Sequence, residues 1–233
     1  MTQAIALLDP AKHADLKFKK PSFEHVADQH LMPVSLHEVM YAATDVPVVF
    51  VKSNEDANEF QAVMMLGLKP QQNLRVKDGE WTGTYVPNVL RDYPLTVVLD
   101  PEQTDRVWFG VREGSDQLSK EEGVALFENG EETPALKERR EQLLRHFEQD
   151  QQSRNVLKFL AEKELLIQQT LTVEVKGEKR NINGIFLIDE RKLAELSDED
   201  YLDLRKKGLL GPIYSHLTSL NQIPRLVLAE TAL

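Results

Sequence analysis

The chain has 233 residues, 41% of them hydrophobic and 28% charged, which is enough to build one large domain, or two small ones, without covalent staples. It contains no cysteine, which excludes a disulfide framework, thiolate catalysis and Cys-ligated zinc or iron–sulfur clusters. The formal charge of −10 lacks the basic excess that replaces counterions on phosphates, so no nucleic-acid partner is expected.

At the N-terminus the apolar run Ala4–Leu8 is short and is followed by Asp9 and Pro10, with Lys12, Lys17, Lys19 and Lys20 after it. A signal peptide has the opposite order, with charge before a longer apolar core. No stretch approaches the ~20 apolar residues of a transmembrane helix. The expectation is a soluble protein, cytoplasmic by default, with export by another route left open. Residues 1–33 lack a sustained period and read as an extended arm, the lysines forming a solvated face. Residues 34–226 read as a single domain, with a sub-boundary in the acidic segment 113–132.

Ser35 and Glu38 form a capping-box pattern ahead of a short helix over 36–43. VPVVFV (46–51) is a β-branched and aromatic run expected as a strand buried on both faces, and FQAVMML (60–66) as its neighbour. Residues 73–86 read as a hairpin turning at Asp78-Gly79, a pair suited to the type I′ turn. LTVVLD (95–100) and VWFGV (107–111) supply two more strands. Short strands joined by short turns predict a mostly antiparallel sheet.

Segment 113–132 holds Glu113, Asp116, Glu121, Glu122, Glu128, Glu131 and Glu132 against Lys120 alone. It reads as a mobile loop or a solvated edge with little apolar burial to order it. After Pro134 the period becomes helical, with Leu136, Leu143, Leu144 and Phe147 on one face. A second helical stretch carries Val156, Leu157, Leu160 and Leu165. A late hairpin is expected from 166–175, across a turn at 176–179, to 182–188. A helix capped by Ser197 and another over 212–220 close the chain. The fold class is α+β: a mostly antiparallel sheet from the N-terminal half against helices from the C-terminal half.

Chemistry is sparse. His25, His30 and His37, with Glu38 beside the last, are spaced by five and seven rather than the three or four of helical metal pairs, so no metal site is expected. His146 reads as solvent-facing. His216, in the apolar stretch IYSHLTSL, reads as a packed histidine bonded to backbone. No nucleophile elbow, Walker-A loop or dinucleotide fingerprint occurs, and no catalytic residue or cofactor is assigned. One constellation stands out in GEWTGTYVPNVLRDYP (79–94): Trp81, Tyr85, Pro87, Arg91 and Tyr93. Trp81 and Tyr85 could form a stacking platform for a sugar or peptide, with Arg91 holding an anion. Alternatively the aromatics fill a core and the guanidinium satisfies buried carbonyls, the structural role favoured here.

The same segment carries a family likeness. PVVFVK (47–52), MLGL (65–68), QNL (72–74), the block from Asp78 to Pro94 and GLLxxIYSHLxSL (208–220) resemble the SapC family, in the right order across 34–226. Leu95 stands where similar proteins tend to have Phe. The family takes its name from a bacterial paracrystalline surface layer. The resemblance brings no established biochemical activity and no catalytic residues, and the leading expectation is a non-enzymatic protein that binds a protein or envelope partner. The alternative is an enzyme or enzyme accessory with a site around Trp81, Tyr85, Arg91 and His216.

Overall fold

A computed structural model describes residues 4–53, 58–100 and 106–233, so the first three residues of the N-terminal arm lie outside the described residues. In chain order the first elements are β1 (Ile5–Leu7), β2 (Lys17–Phe18), β3 (Leu31–Val34), α1 (Val39–Ala42), β4 (Val48–Lys52) and β5 (Phe60–Met65). Next come β6 (Val76–Lys77), β7 (Glu80–Trp81), α2 (Asn88–Asp92), β8 (Leu95–Leu99) and β9 (Val107–Arg112). The acidic segment holds β10 (Leu118–Ser119), β11 (Val124–Ala125), β12 (Phe127–Glu128) and β13 (Glu131–Glu132). The remainder is α3 (Pro134–Glu162), β14 (Leu166–Val175), β15 (Glu178–Ile188), α4 (Glu190–Ala194), α5 (Asp198–Lys206), α6 (Leu210–Ser219) and α7 (Ile223–Thr231), with a 3-10 turn at Leu220–Gln222. The fold is α+β with antiparallel sheets, as the periodicity predicts.

The chain divides into two compact units: residues 1–23 with 88–148, and residues 24–87 with 149–233. This division explains why the early strands do not form one sheet. Each hairpin closes locally, but the chain leaves the second unit after Pro87, so β8 and β9 pair with β1 in order β1-β9-β8 and not with β4 and β5.

The first unit also contains the sheet β10-β2-β11 and the hairpin β12-β13. Its core gathers Phe18, Leu95, Val111, Leu126, Phe127, Leu136 and Leu143. Leu126 and Phe127 correct the expectation for segment 113–132. Six of the seven acidic residues are exposed while Glu132 pairs with Arg140, two large apolar residues anchor the run, and Leu126 donates its N–H to the Leu16 carbonyl at 2.9 Å. His13 is buried. It accepts the Asp9 N–H at Nδ1 (3.0 Å), which leaves Nε2 to donate to Glu113 at 3.0 Å. Lys12 and His13 together hold the Glu113 carboxyl below its ordinary range. His146, expected to face solvent, meets Asp92 at 2.8 Å, because its position on α3 turns it toward the end of α2.

The second unit is built on the sheet β14-β15-β4-β5-β3. Val49, Val63, Met65, Val173, Val175 and Ile185 line one face under Leu226 of α7. The late hairpin therefore joins the early strands through β15 and β4, with Phe186 opposite Phe50. Its turn is tighter than expected: Lys176 and Gly177 take φ of 52° and 83°, the left-handed pair of a two-residue turn. The opposite face carries Phe50, whose ring lies 4.6 Å from that of His216 on α6.

Three helical features depart from the sequence reading. The two stretches after Pro134 are one helix of 29 residues, since no glycine or proline interrupts it. Helix α4 begins where Asp189 accepts from the N–H groups of Arg191 and Lys192, and α7 carries a proline in its first turn; neither was anticipated. The helix capped by Ser197 is present, its hydroxyl accepting from the Asp200 N–H. Among the described residues no helix is long and apolar enough to cross a membrane.

Candidate functional site

The site grows from the capping-box pair. Glu38 Oε2 accepts from the Ser35 N–H at 2.8 Å and from the Ser35 hydroxyl at 3.0 Å, both buried. The Ser35 hydroxyl therefore donates, where a full capping box would have it accept from the backbone. Helix α1 accordingly starts only at Val39, after a turn closed by the Glu38 N–H on the Ser35 carbonyl. The other carboxylate oxygen, Oε1, accepts the Tyr85 hydroxyl at 2.9 Å. The Tyr85 ring then stacks on Tyr41 of α1 at 5.7 Å between centroids and 17° between planes.

The loop that delivers Tyr85 is braced from within. The Trp81 indole N–H donates to the Tyr85 carbonyl at 2.9 Å. Asp45 Oδ2 accepts the Thr84 N–H at 2.9 Å, while Arg75 bonds the Asp45 carbonyl at 2.7 Å and its carboxylate at 3.1 Å. Gly83 sits inside this ring of contacts. A Cβ there would stand 2.5 Å from Asp45 Oδ2 and 2.7 Å from Trp81 Nε1, closer than real Cβ atoms approach. The Asp78-Gly79 turn that opens the loop has φ of 53° and 76°, as that dipeptide predicts.

The arrangement presents apolar surface outward. Tyr41 is 63% exposed and Met40 56%, although both lie on a four-residue helix whose other side is fully buried at Val39 and Ala42. Gly211, at the start of α6, would place a Cβ 3.5 Å from Met40 Sδ, and one turn further along α6 Tyr214 is 47% exposed.

The sequence motif is split by the division of the chain. Trp81, Tyr85 and Pro87 belong to the second unit, Arg91 and Tyr93 to the first. Trp81 and Tyr85 are half-buried and Pro87 is buried. Arg91 lies at the surface of α2, and its carbonyl accepts from Arg139 at 3.5 Å, while Tyr93 is buried. His216 stands on α6 in the second unit and is inaccessible to solvent. Its Nδ1 bonds the Val48 carbonyl at 2.7 Å and its Nε2 accepts the Ile188 N–H at 3.2 Å. Those partners fix the neutral Nδ1–H tautomer, and burial pushes its pKa down to about 4 against the opposing pull of the Val48 carbonyl. Among the described residues no group of three His, Asp or Glu side chains could hold a metal ion.

Sequence reasoning missed Tyr41, Asp45 and Arg75. For Tyr41 the Ser35–Glu38 pattern announced a helix nearby but placed its start at Leu36, whereas α1 begins at Val39, so the outward-facing side chains were not fixed by it. Asp45 and Arg75 are joined across 30 residues by a loop contact that no local pattern announces.

The fold and this surface define an α+β protein with an aromatic patch braced by a buried carboxylate. The chain belongs to the SapC family, whose family model matches residues 8–226. No curated protein and no solved structure matches it.

Proposed function

We propose that this SapC-family chain acts by binding a macromolecular partner through the patch formed by Met40, Tyr41 and Tyr214, and not by catalysis. The observation that carries the reading is the Tyr41–Tyr85 stack: an exposed aromatic ring held in place by a second ring, itself tied to buried Glu38. Aromatic side chains that are rigid before contact lose little entropy on binding, which is why they dominate interface energetics. His216, the histidine on which the enzymatic alternative relies, has both nitrogens engaged by backbone and no solvent contact, which disfavours that alternative. The partner we propose belongs to the bacterial envelope or surface layer, a role suggested by the origin of the family's name alone.

The test is cosedimentation of the purified protein with envelope preparations from a bacterium carrying a SapC gene. Tyr41→Ser and Met40→Ser should abolish cosedimentation while leaving the melting temperature near that of the parent. Retention of binding by both variants, or no cosedimentation by the parent, would sink the proposal.

A further inference from the structure

Independently of the aromatic patch, the sheet of the second unit ends in a long strand whose outer edge pairs with no other strand among the described residues. Among the described residues β14 is the last strand of its sheet, ten residues long, bonded to β15 on one side only. Natural proteins blunt such edges with short strands, prolines, lysines or inward charges. Here the sequence is LIQQTLTVEV, and its one charge is Glu174. The alternation is regular from Leu171 to Val175, beyond the point where the pairing with β15 shifts register between Gln169 and Leu171. Val173 and Val175 are buried and Leu171 packs against the same core, whereas Gln168, Thr170, Thr172 and Glu174 are exposed.

The apolar face is left incomplete along this edge. Ile167, Gln169 and Leu171 border a cleft of about 450 Å³ whose floor includes Val49, Ile185 and Leu187 and whose far wall is Leu220 and Ile223. Ile167 is 38% exposed there.

We infer that β14 is the interface for a second copy of this chain, pairing antiparallel with its own counterpart across a two-fold axis. The strand is its own complement. Antiparallel self-pairing keeps apolar opposite apolar only when the axis passes through a residue, and the two registers of greatest overlap centre on Thr170 or Leu171. With Thr170 on the axis, Ile167 meets Val173 of the second copy, Gln169 meets Leu171, and Gln168 meets Thr172. With Leu171 on the axis, Ile167 meets Val175 and Thr170 meets Thr172. Glu174 then faces Leu166 or Gln168, never a carboxylate. The neighbouring register, centred on Gln169, would oppose Glu174 to Glu164 and is disfavoured by like charge. In either favoured register the incoming odd-numbered side chains cover the open side of the cleft, and the two sheets become one.

The absence of cysteine makes the experiment direct. Opposed residues of an antiparallel pair stand about 4.5–5.5 Å apart at Cα, within disulfide reach. Under mild oxidation Thr170→Cys alone, or an equimolar mixture of Thr170→Cys and Thr172→Cys proteins, should form a covalent dimer at least an order of magnitude faster than Leu202→Cys, exposed on α5. The parent should scatter light with twice the monomer mass. Thr170→Lys/Thr172→Lys, which opposes like charges in both registers, should be a folded monomer. A parent that is monomeric at every concentration, or cross-linking no faster than the Leu202 control, would overturn the inference and leave the edge to an extended segment of another protein.

Discussion

Tyr85 donates its hydroxyl to Glu38 at 2.9 Å, tying a loop to a carboxylate 47 positions earlier in the chain. The same carboxylate satisfies the buried Ser35 N–H, so the two ends of the contact are not equivalent. Tyr85→Phe should cost about 1 kcal/mol, the net worth of one hydrogen bond. Glu38→Ala should cost about 2–3 kcal/mol or more, because it also strands the Ser35 donor. The double variant should be more stable than the sum of the single losses implies. Urea unfolding of the four proteins measures this directly, and strict additivity would show that the contact carries no coupling.

His216 predicts a pH dependence with a definite sign. Its pKa is about 4 in the folded protein, below the 6.5 of an unperturbed imidazole. Between those values the unfolded chain binds a proton that the folded chain does not. The contribution is therefore complete above about pH 6.5 and is lost as pH falls toward 4, reaching about 3 kcal/mol. His216→Gln, which retains a donor and an acceptor but cannot titrate, should flatten the stability profile in that window. An imidazole whose NMR shifts titrate near pH 6.5 in the folded state would refute the assignment.

Within the central motif the two halves should respond differently. Gly83→Ala forces a methyl against Asp45 and Trp81 and should destabilise by about 1–3 kcal/mol. Trp81→Phe, which removes one hydrogen bond, should cost about 1 kcal/mol. Arg91→Ala should change stability by no more than about 1 kcal/mol, as for other exposed charged side chains. Thermal melts of the three variants test the ranking, and a collapse of Arg91→Ala would contradict it.

The acidic segment should be protected at its apolar anchors. The amide of Leu126 bonds Leu16, and that of Thr133 bonds the Leu126 carbonyl at 3.0 Å. Hydrogen exchange at both should be slow while the amides of Lys120 and Asn129, the latter in the turn between β12 and β13, exchange quickly. Uniformly fast exchange across 113–132 would restore the picture of a mobile loop.

Local chemistry was the legible part of this molecule. The runs at 46–51 and 60–66, the Asp78-Gly79 turn, the Ser197 cap and the α+β class follow from residue types and their spacing. Partnership over long distances was not legible. Nothing near Val107 announces β1 as its neighbour, and seven carboxylates obscured the two apolar anchors between them. The candidate site was half visible. Trp81 and Tyr85 stand out by composition, whereas Arg91 drew attention by proximity in sequence to residues of another unit. Tyr41 became identifiable as a surface residue only once the start of α1 was fixed.

The interleaving of the two units restricts how the chain can be made and altered. Neither unit is a single contiguous stretch, because residues 24–87 interrupt the first and 88–148 interrupt the second. During synthesis Ile5 must wait for Arg112, more than a hundred residues later, before β1 can pair. A single proteolytic nick or a gene split between Glu24 and Glu148 therefore divides both units at once. Such a chain cannot shed or exchange one unit by a single cut, as modular proteins do.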